Sequence, residues 1–531
     1  MPPTTGHAST MSDTAPQEAA QRQLIDALRT PARYPTPCDE VEVIETHISW
    51  VLLCGEFAYK IKKPVDLGFL DFTSLERRRH YCEEELRLNG RLAPQLYLKV
   101  VGIGGSAQAP AFEHGEPFEY AVKMRRFDQH DLLDRMLREQ RVAPELIDAI
   151  ADTVADFHGR IPAVDPDSGF GLPEGIREPV RANFEHLDLT LTDPQLRVKL
   201  EQVRTWSEQE FERRRGILAA RRRSGFVREC HGDMHLGNMA MHEGELVLFD
   251  GIEFNPALYW IDVMSEAAFV FMDLDDHGRG DYAMRFLNRY LADTGDYTGV
   301  RVLPYYLCYR AMVRAKIAGI RLAQRAGHES AADRDALRGY LELAHRYTQQ
   351  PAPLLLITHG LSGSGKSSIA APLCERLGAV HLRSDRERQR LFGRGGGAGI
   401  GAGPYSADAT ERTYARLAEL AGEVLEAGLS VVVDATFLDR QQRGRFAALA
   451  AARGAGFRIL HFEASVDELR RRVRARAAAG RDISEADLRV LEHQLKDATP
   501  LGTEERVLTV DTESPLDLDV LSARIRAPAG H

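Results

Sequence analysis

The sequence predicts two domains. The first is α+β, with a small strand-rich lobe before a large helical lobe. The second is α/β, built on a doubly wound parallel sheet. Three observations carry this. At 531 residues the chain is too long for one ordinary core. The run Gln349-Gln350-Pro351-Ala352-Pro353 stops a helical stretch and reads as a linker over 349–353. Across it the order of elements changes, from strands followed by helices to strands alternating with helices.

In the first lobe, residues 47–53 and 57–61 read as two strands turned at Cys54-Gly55-Glu56. Residues 75–92 are dense in Glu, Arg and Leu and read as a helix that Thr73 or Ser74 caps. Residues 97–103 and 118–124 read as further strands. From Asp131 to about Tyr347 helices dominate, with candidates at 144–158, 193–222, 260–272 and 304–326, interrupted by a loop stretch at 226–256. Beyond the linker, 354–358, 379–382, 430–433, 458–462 and 506–510 read as short buried strands, with helices at 366–377, 409–427 and 466–478 between them. The Gly/Ala-rich stretch 393–404 reads as a loop insertion.

Hydrophobic residues at 44% and charged residues at 27% describe a soluble globular protein. The formal net charge of −10 argues against a general binder of nucleic acid or of anionic membranes. Cys38, Cys54, Cys82, Cys230, Cys308 and Cys374 are scattered without a C-x-x-C pair, so free thiols in a reducing cytoplasm are expected. Residues 1–23 are rich in Pro, Thr, Ser, Ala and Gln and lack the apolar core of a signal peptide, which predicts a disordered tail. No apolar run is long enough to span a membrane.

Gly360-Leu361-Ser362-Gly363-Ser364-Gly365-Lys366-Ser367 fits G-x-x-x-x-G-K-[ST] at every fixed position, after an apolar strand and before a helix. Gly360, Gly363, Ser364, Gly365 and Ser368 belong to a backbone cradle for ATP phosphates, with Lys366 on the β/γ-phosphates and Ser367 on Mg²⁺. Val431-Val432-Val433-Asp434 is a buried strand ending in a carboxylate, which suits Asp434 to the metal; the plainer reading is a helix cap. Asp385 ends the second strand at the ligand-binding edge and orients or deprotonates an acceptor hydroxyl, or caps the next helix. Of Arg470, Arg471, Arg472, Arg474 and Arg476, some form a solvated face, while Arg472 and Arg476, four apart, share one face suited to a lid over the phosphates.

A second constellation is His231-Gly232-Asp233-Met234-His235-Leu236-Gly237-Asn238, followed by Leu248-Phe249-Asp250-Gly251. Asp233 and Asn238 have the spacing of a catalytic Asp and a metal-binding Asn on one tight loop, and Asp250 completes the metal set with Glu253 as an assistant. His231 and His235 read as braces of the loop. Lys60 lies on a strand where a phosphate-pairing Lys belongs, with Lys62 as its rival on the same face. Glu83, Glu84 and Glu85 are candidates for its partner, Glu85 having the best spacing.

These motifs resemble known kinases. Residues 353–527 are similar to P-loop small-molecule kinases near gluconate kinase, polynucleotide kinase and zeta-type toxins. The likeness rests on the glycine run, Ser384-Asp385-Arg386-Glu387-Arg388, Val433-Asp434-Ala435-Thr436-Phe437 and the segment from Arg472 to Asp487. It implies strand order 2-3-1-4-5 and phosphorylation of a hydroxyl. Residues 24–348 resemble the aminoglycoside phosphotransferase, choline-kinase-like branch of the protein-kinase fold, with HGD in place of HRD. Phe57–Asp71, Arg78–Tyr97, Phe249–Asn255 and Tyr309–Lys316 are similar to one bacterial family, the bifunctional aminoglycoside phosphotransferase/ATP-binding proteins, which fuses these two domains. One departure stands out: no G-x-G-x-x-G lies between the first two strands, where Gly55 alone occurs. The resemblance implies ATP and Mg²⁺ as cofactors and small hydroxylated molecules as substrates. The rival expectation is that the first domain is a nucleotide-gated regulatory module.

Overall fold

A computed structural model describes residues 15–68, 70–324, 331–349, 351–393, 406–479 and 488–527. The chain folds as two compact units. One comprises Met1–Val142, Arg160–Gly171 and Gly225–Glu266; the other comprises Ala143–Gly159, Leu172–Ser224 and Ala267–His531.

The first unit is built on a six-stranded antiparallel sheet. Its strands are β1 (Val41–Glu45), β2 (Ser49–Cys54), β3 (Phe57–Lys62), β4 (Tyr97–Gly105), β5 (Pro110–Phe112) and β6 (Glu119–Arg125), in the order β1-β2-β3-β6-β4-β5. Side chains of a strand alternate between faces. Tyr59 and Ile61 therefore enter a core with Leu52, Val101 and Ala121, while Lys60 and Lys62 point to the other face. On that other face lies helix Leu75–Asn89, capped by Ser74, whose hydroxyl accepts from the Arg77 amide at 3.2 Å. The short pairs β7 (Val227–Glu229) with β10 (Trp260–Asp262), and β8 (Met239–His242) with β9 (Glu245–Leu248), frame the loops that carry His231–Asn238 and Asp250. The helix expected from Trp260 starts at Val263, because Asp262 accepts from the Met264 amide at 2.9 Å and ends the extended stretch.

Two expectations fail here. The disordered tail placed over 1–23 is helical from Ala15 to Leu28. Leu24, Ile25 and Leu28 are buried on one face, and docking that face offsets the entropy that the polar composition alone leaves unopposed. Residues 1–14 lie outside the described residues. Nor are all thiols free: Cys38 and Cys54 form a disulfide, their Cα atoms 5.5 Å apart, while Cys82, Cys230, Cys308 and Cys374 are free and buried. The pairing depends on the chain before β1 returning past the end of β2, which a separation of 16 residues does not announce.

The second unit holds a five-stranded parallel sheet of β11 (Leu354–His359), β12 (Ala379–Arg383), β13 (Ser430–Asp434), β14 (Gly456–Glu463) and β15 (Val507–Asp511). The order is β12-β13-β11-β14-β15, which is the expected 2-3-1-4-5. Leu356, Val432 and Leu460 form the middle of its core with Ala370, Leu373 and Cys374 of helix Lys366–Leu377. Helix Gly280–Thr294 belongs to the same unit and packs on Lys366–Leu377 and on β12. The expected loop insertion over 393–404 falls, from residue 394 on, outside the described residues, as does the far end of the arginine segment at 480–487.

Candidate active sites

The first site gathers on the face of β3 that Lys60 and Lys62 share. Lys60 Nζ lies 2.8 Å from Glu85 Oε1 and 2.5 Å from Asp250 Oδ1. Lys62 takes the second oxygen of Glu85 at 2.7 Å and pairs with Glu253. Of the three glutamates, Glu85 is the buried one; Glu83 faces Arg79, and Glu84 faces Arg87. Burial alone would raise the Glu85 carboxyl, but the two lysines bring it down to about 2. Burial would likewise lower Lys60; Asp250 and Glu85 overcome it and hold Lys60 well above the ordinary range.

Asp233 and Asn238 sit on one turn. Asn238 Nδ2 donates to the Asp233 carbonyl at 2.9 Å and to its carboxylate at 3.1 Å. Gly232 opens the turn at φ +88°, where an added Cβ would meet the Leu258 carbonyl oxygen at 2.8 Å. His231 braces the turn from inside: its Nε2 is 2.9 Å from the Phe249 carbonyl, and burial pulls its pKa below the usual value. His235 accepts from the Gly237 amide at 3.1 Å. Asp250 adopts φ +59°, a conformation that side-chain-bearing residues rarely hold without outside support. The support is present. Tyr97 hydroxyl accepts from the Asp250 amide at 3.1 Å, and Asn89 Oδ1 accepts from the Gly251 amide at 2.7 Å. Glu253 is nearly fully buried and turned onto Lys62.

The turn between β1 and β2 is Thr46-His47-Ile48, closed by Thr46 and Ser49 on each other's backbones. It contains no glycine. Gly55 lies in the turn between β2 and β3, at the other end of β2, because β1 precedes the two strands read from the sequence.

The second site lies at the carboxyl ends of β11, β12 and β13. Gly363 and Gly365 have φ of +86° and +82°, and a Cβ on Gly363 would meet the Leu469 carbonyl oxygen at 2.9 Å. Lys366 Nζ curls onto its own loop, donating to the Gly360 and Leu361 carbonyls at 2.8 and 2.7 Å and to Ser364 Oγ at 3.3 Å. Burial lowers Lys366 to about 8 against the pull of Asp434 and Asp385, with Arg476 near enough to lower it further. Asp434 caps no helix: Asp439 caps the next one. Its Oδ1 is 3.4 Å from Thr358 Oγ1, and its Oδ2 is 3.4 Å from His381 Nε2. Burial would raise Asp434, but His381, the Ser367 hydroxyl and Lys366 bring it to about 2. The Ser367 hydroxyl in the first turn of helix Lys366–Leu377 and the ionised Asp434 carboxylate at the end of β13 make the hard oxygen set that suits Mg²⁺. Asp385 stands in the first turn of helix Ser384–Phe392, whose N-cap is Arg383. Arg472 is anchored beside the glycine loop on Glu468, Thr512 and the Gly363 carbonyl, and Ser367 and Ser368 are exposed at the helix start.

Residues 70–303 match the phosphotransferase enzyme family, and residues 355–501 match an AAA domain family. The uncharacterized proteins Rv2004c of Mycobacterium tuberculosis and Mb2027c of Mycobacterium bovis are 31% identical to the chain over 450 residues, which is 83% of this chain and 87% of theirs. The chain belongs to this two-domain kinase family. Among solved structures, a choline/ethanolamine kinase family protein from Mesorhizobium loti is similar at 11% identity over 62% of this chain and 95% of its own, with a TM-score of 0.39. A gluconokinase from Sinorhizobium meliloti is similar at 22% identity over 33% of this chain and 93% of its own, with a TM-score of 0.25.

As a member of that family the chain is an ATP-dependent kinase, with one domain of the phosphotransferase type and one of the P-loop kinase type. Kinases of these families use ATP and typically Mg²⁺. Among the described residues no helix is long and apolar enough to cross a membrane. Sequence reasoning missed several residues that hold these sites. Glu266 is fully buried and accepts from the amides of His231 and Gly232 at 2.8 and 2.6 Å. Asn89 had a readable signal, since it follows Glu85 by four residues on the same helix face. His381 and Tyr97 had none, because their partners are distant in the chain.

Proposed function

We propose that the chain is a bifunctional phosphotransferase, with one domain at about 24–348 and a second at 353–527. Both would transfer the γ-phosphoryl of ATP to hydroxyl groups of small molecules. At the first site, Lys60, held by Glu85, would pair with the phosphates, and Asn238 and Asp250 would hold Mg²⁺. The metal, when bound, neutralises charge on the β- and γ-phosphates. Asp233 would take the proton of the acceptor hydroxyl as its oxygen bonds to the γ-phosphorus and the bond to the β,γ-bridging oxygen breaks, leaving ADP. At the second site, Lys366 would move from its own carbonyls to the phosphates, Ser367 and Asp434 would hold Mg²⁺, Asp385 would receive the acceptor proton, and Arg472 and Arg476 would close over the transferring group.

The observation that carries the reading is the meeting of Lys60, Glu85 and Asp250 beside an intact Asp233–Asn238 turn. The ATP that both sites need is that of the cytoplasm. The glycine-free turn at 46–48 favours a second reading, in which the first site binds nucleotide as a regulatory module. Transfer of ³²P from γ-labelled ATP into a metabolite pool, run on wild type, Asp233→Asn and Lys366→Ala, separates the two. A labelled product lost in Asp233→Asn supports two enzymes. Products lost only in Lys366→Ala support the regulatory reading.

A further inference from the structure

Strand β12 is an edge of the parallel sheet, and an edge strand presents unpaired amides and carbonyls. Here side chains take the place of a neighbouring strand. Asn288, on helix Gly280–Thr294, donates from Nδ2 to the Ala379 carbonyl at 3.1 Å and accepts at Oδ1 from the His381 amide at 2.9 Å. A carboxamide so placed repeats the acceptor and donor that a neighbouring strand would offer. Other contacts fix the same helix against the same layer. Arg390 donates to the Leu291 and Ala292 carbonyls, and Arg285 lies 3.4 Å from Glu375; past the end of the helix, Tyr297 hydroxyl donates to the His381 carbonyl at 3.5 Å.

What Asn288 holds leads directly to the P-loop site. His381 is the residue whose ring lies beside Asp434, and Arg383 of β12 is in register with Asp434 of β13. Two residues beyond the strand stands Asp385. On one side β12 is held by β13, and on the other the Asn288 carboxamide sets its height. His381 is nearly fully buried, so an unpaired amide there would cost free energy or pull the strand toward another partner.

We propose that Asn288 is a positioning residue for the P-loop site: it sets the height of β12, and through it places His381 against Asp434 and Asp385 against the phosphate loop. A misplacement of about 1 Å at such a site costs on the order of 10²-fold in rate. The proposal rests on the reading of the P-loop site as a phosphotransferase.

The test uses the full chain and takes as signal the turnover that Lys366→Ala removes. Asn288→Leu keeps the volume and loses both hydrogen bonds; Asn288→Asp keeps the acceptor for the His381 amide. Asn288→Leu is expected to lower kcat at least tenfold and to change KM for ATP by less than it changes kcat, because the glycine loop and Lys366 are untouched while Asp434 is not. Asn288→Asp should recover part of that loss, and hydrogen exchange at the His381 amide should quicken in Asn288→Leu. Wild-type kcat with quickened exchange would overturn the proposal and leave the contact purely structural. If the leucine variant does not fold, the aspartate variant is judged by the same kcat and KM criterion. If wild type has no Lys366-dependent turnover, the phosphotransferase reading falls, and Mg²⁺-dependent ADP affinity decides instead, measured in the full chain carrying Asp250→Ala. A Mg²⁺ advantage weakened by Asn288→Leu supports the proposal, and an unchanged advantage overturns it.

Discussion

Lys62 and Glu85 meet at 2.7 Å between Nζ and Oε2, and neither side chain has any exposure. The other oxygen of that carboxylate takes Lys60. Two lysines thus share one anion, and of the pair it is Lys60 that also reaches Asp250. The roles should separate on substitution. Lys60→Met is expected to lower first-site turnover by about 10²-fold or more with little change in stability, since Glu85 keeps Lys62 as a partner and the Asp250 side chain is half-exposed. Lys62→Met leaves Glu253 buried without its partner and should cost about 3–5 kcal/mol. Denaturant midpoints and turnover, both in a Lys366→Ala background, test this. A Lys62→Met protein as stable as its parent would refute the structural role.

Glu85 also predicts a pH dependence. Its folded pKa, about 2, lies below its ordinary value of 4.5, so its stabilisation is fully present above 4.5 and is lost as pH falls toward 2. The stability gap between wild type and Glu85→Gln should therefore be constant from pH 7 to about 5 and narrow below it. A gap independent of pH down to 3.5 would contradict the shift.

Asp233→Asn is expected to cut first-site transfer by about 10²–10⁴-fold and leave Mg-ATP affinity nearly intact, because Asp233 would face the acceptor. Asp250→Ala should instead weaken Mg-ATP binding. Calorimetry on the full chain in the Lys366→Ala background distinguishes them, and equal affinity losses in both would break the assignment.

Arg476→Gln and Arg472→Gln should also differ. Arg476 faces Lys366 electrostatically, and its loss should lower P-loop kcat by about tenfold or more. Arg472 is tied to Thr512 and Gly363, so its loss should lower thermal stability as well as kcat. An unchanged kcat in the double variant would remove both from the lid.

The sequence made the C-terminal sheet legible strand by strand, because parallel strands buried on both faces read as unbroken apolar runs such as Leu354–Ile357 and Val431–Val433. The candidate catalytic turns were legible because their spacing is chemical: for phosphoryl transfer, Asp233 and Asn238 must share one loop, and Lys366 must follow its glycines. Strand β1 was not, since Val41–Glu45 is five residues long and breaks strict alternation at Val43-Ile44, on a sheet edge where no residue is fully buried. The supports were not legible either. Glu266 beneath His231, Tyr97 beneath Asp250 and Asn288 beside β12 are ordinary helix or strand residues in the sequence, and tertiary pairing alone gives them a task.

Helix Ala15–Leu28 bears on how the protein can be shortened. Gln21 is buried; its carboxamide donates to the Lys62 carbonyl at 2.8 Å and to Glu119 at 3.0 Å, and accepts from the Trp50 indole at 3.2 Å. A chain trimmed to start at residue 24, where composition alone places the first domain, would leave those three groups facing a gap. Trimming for crystallisation or assay should therefore spare everything from Ala15 onward. Loss of ATP binding in a shorter version would report a damaged lysine strand rather than an inactive enzyme.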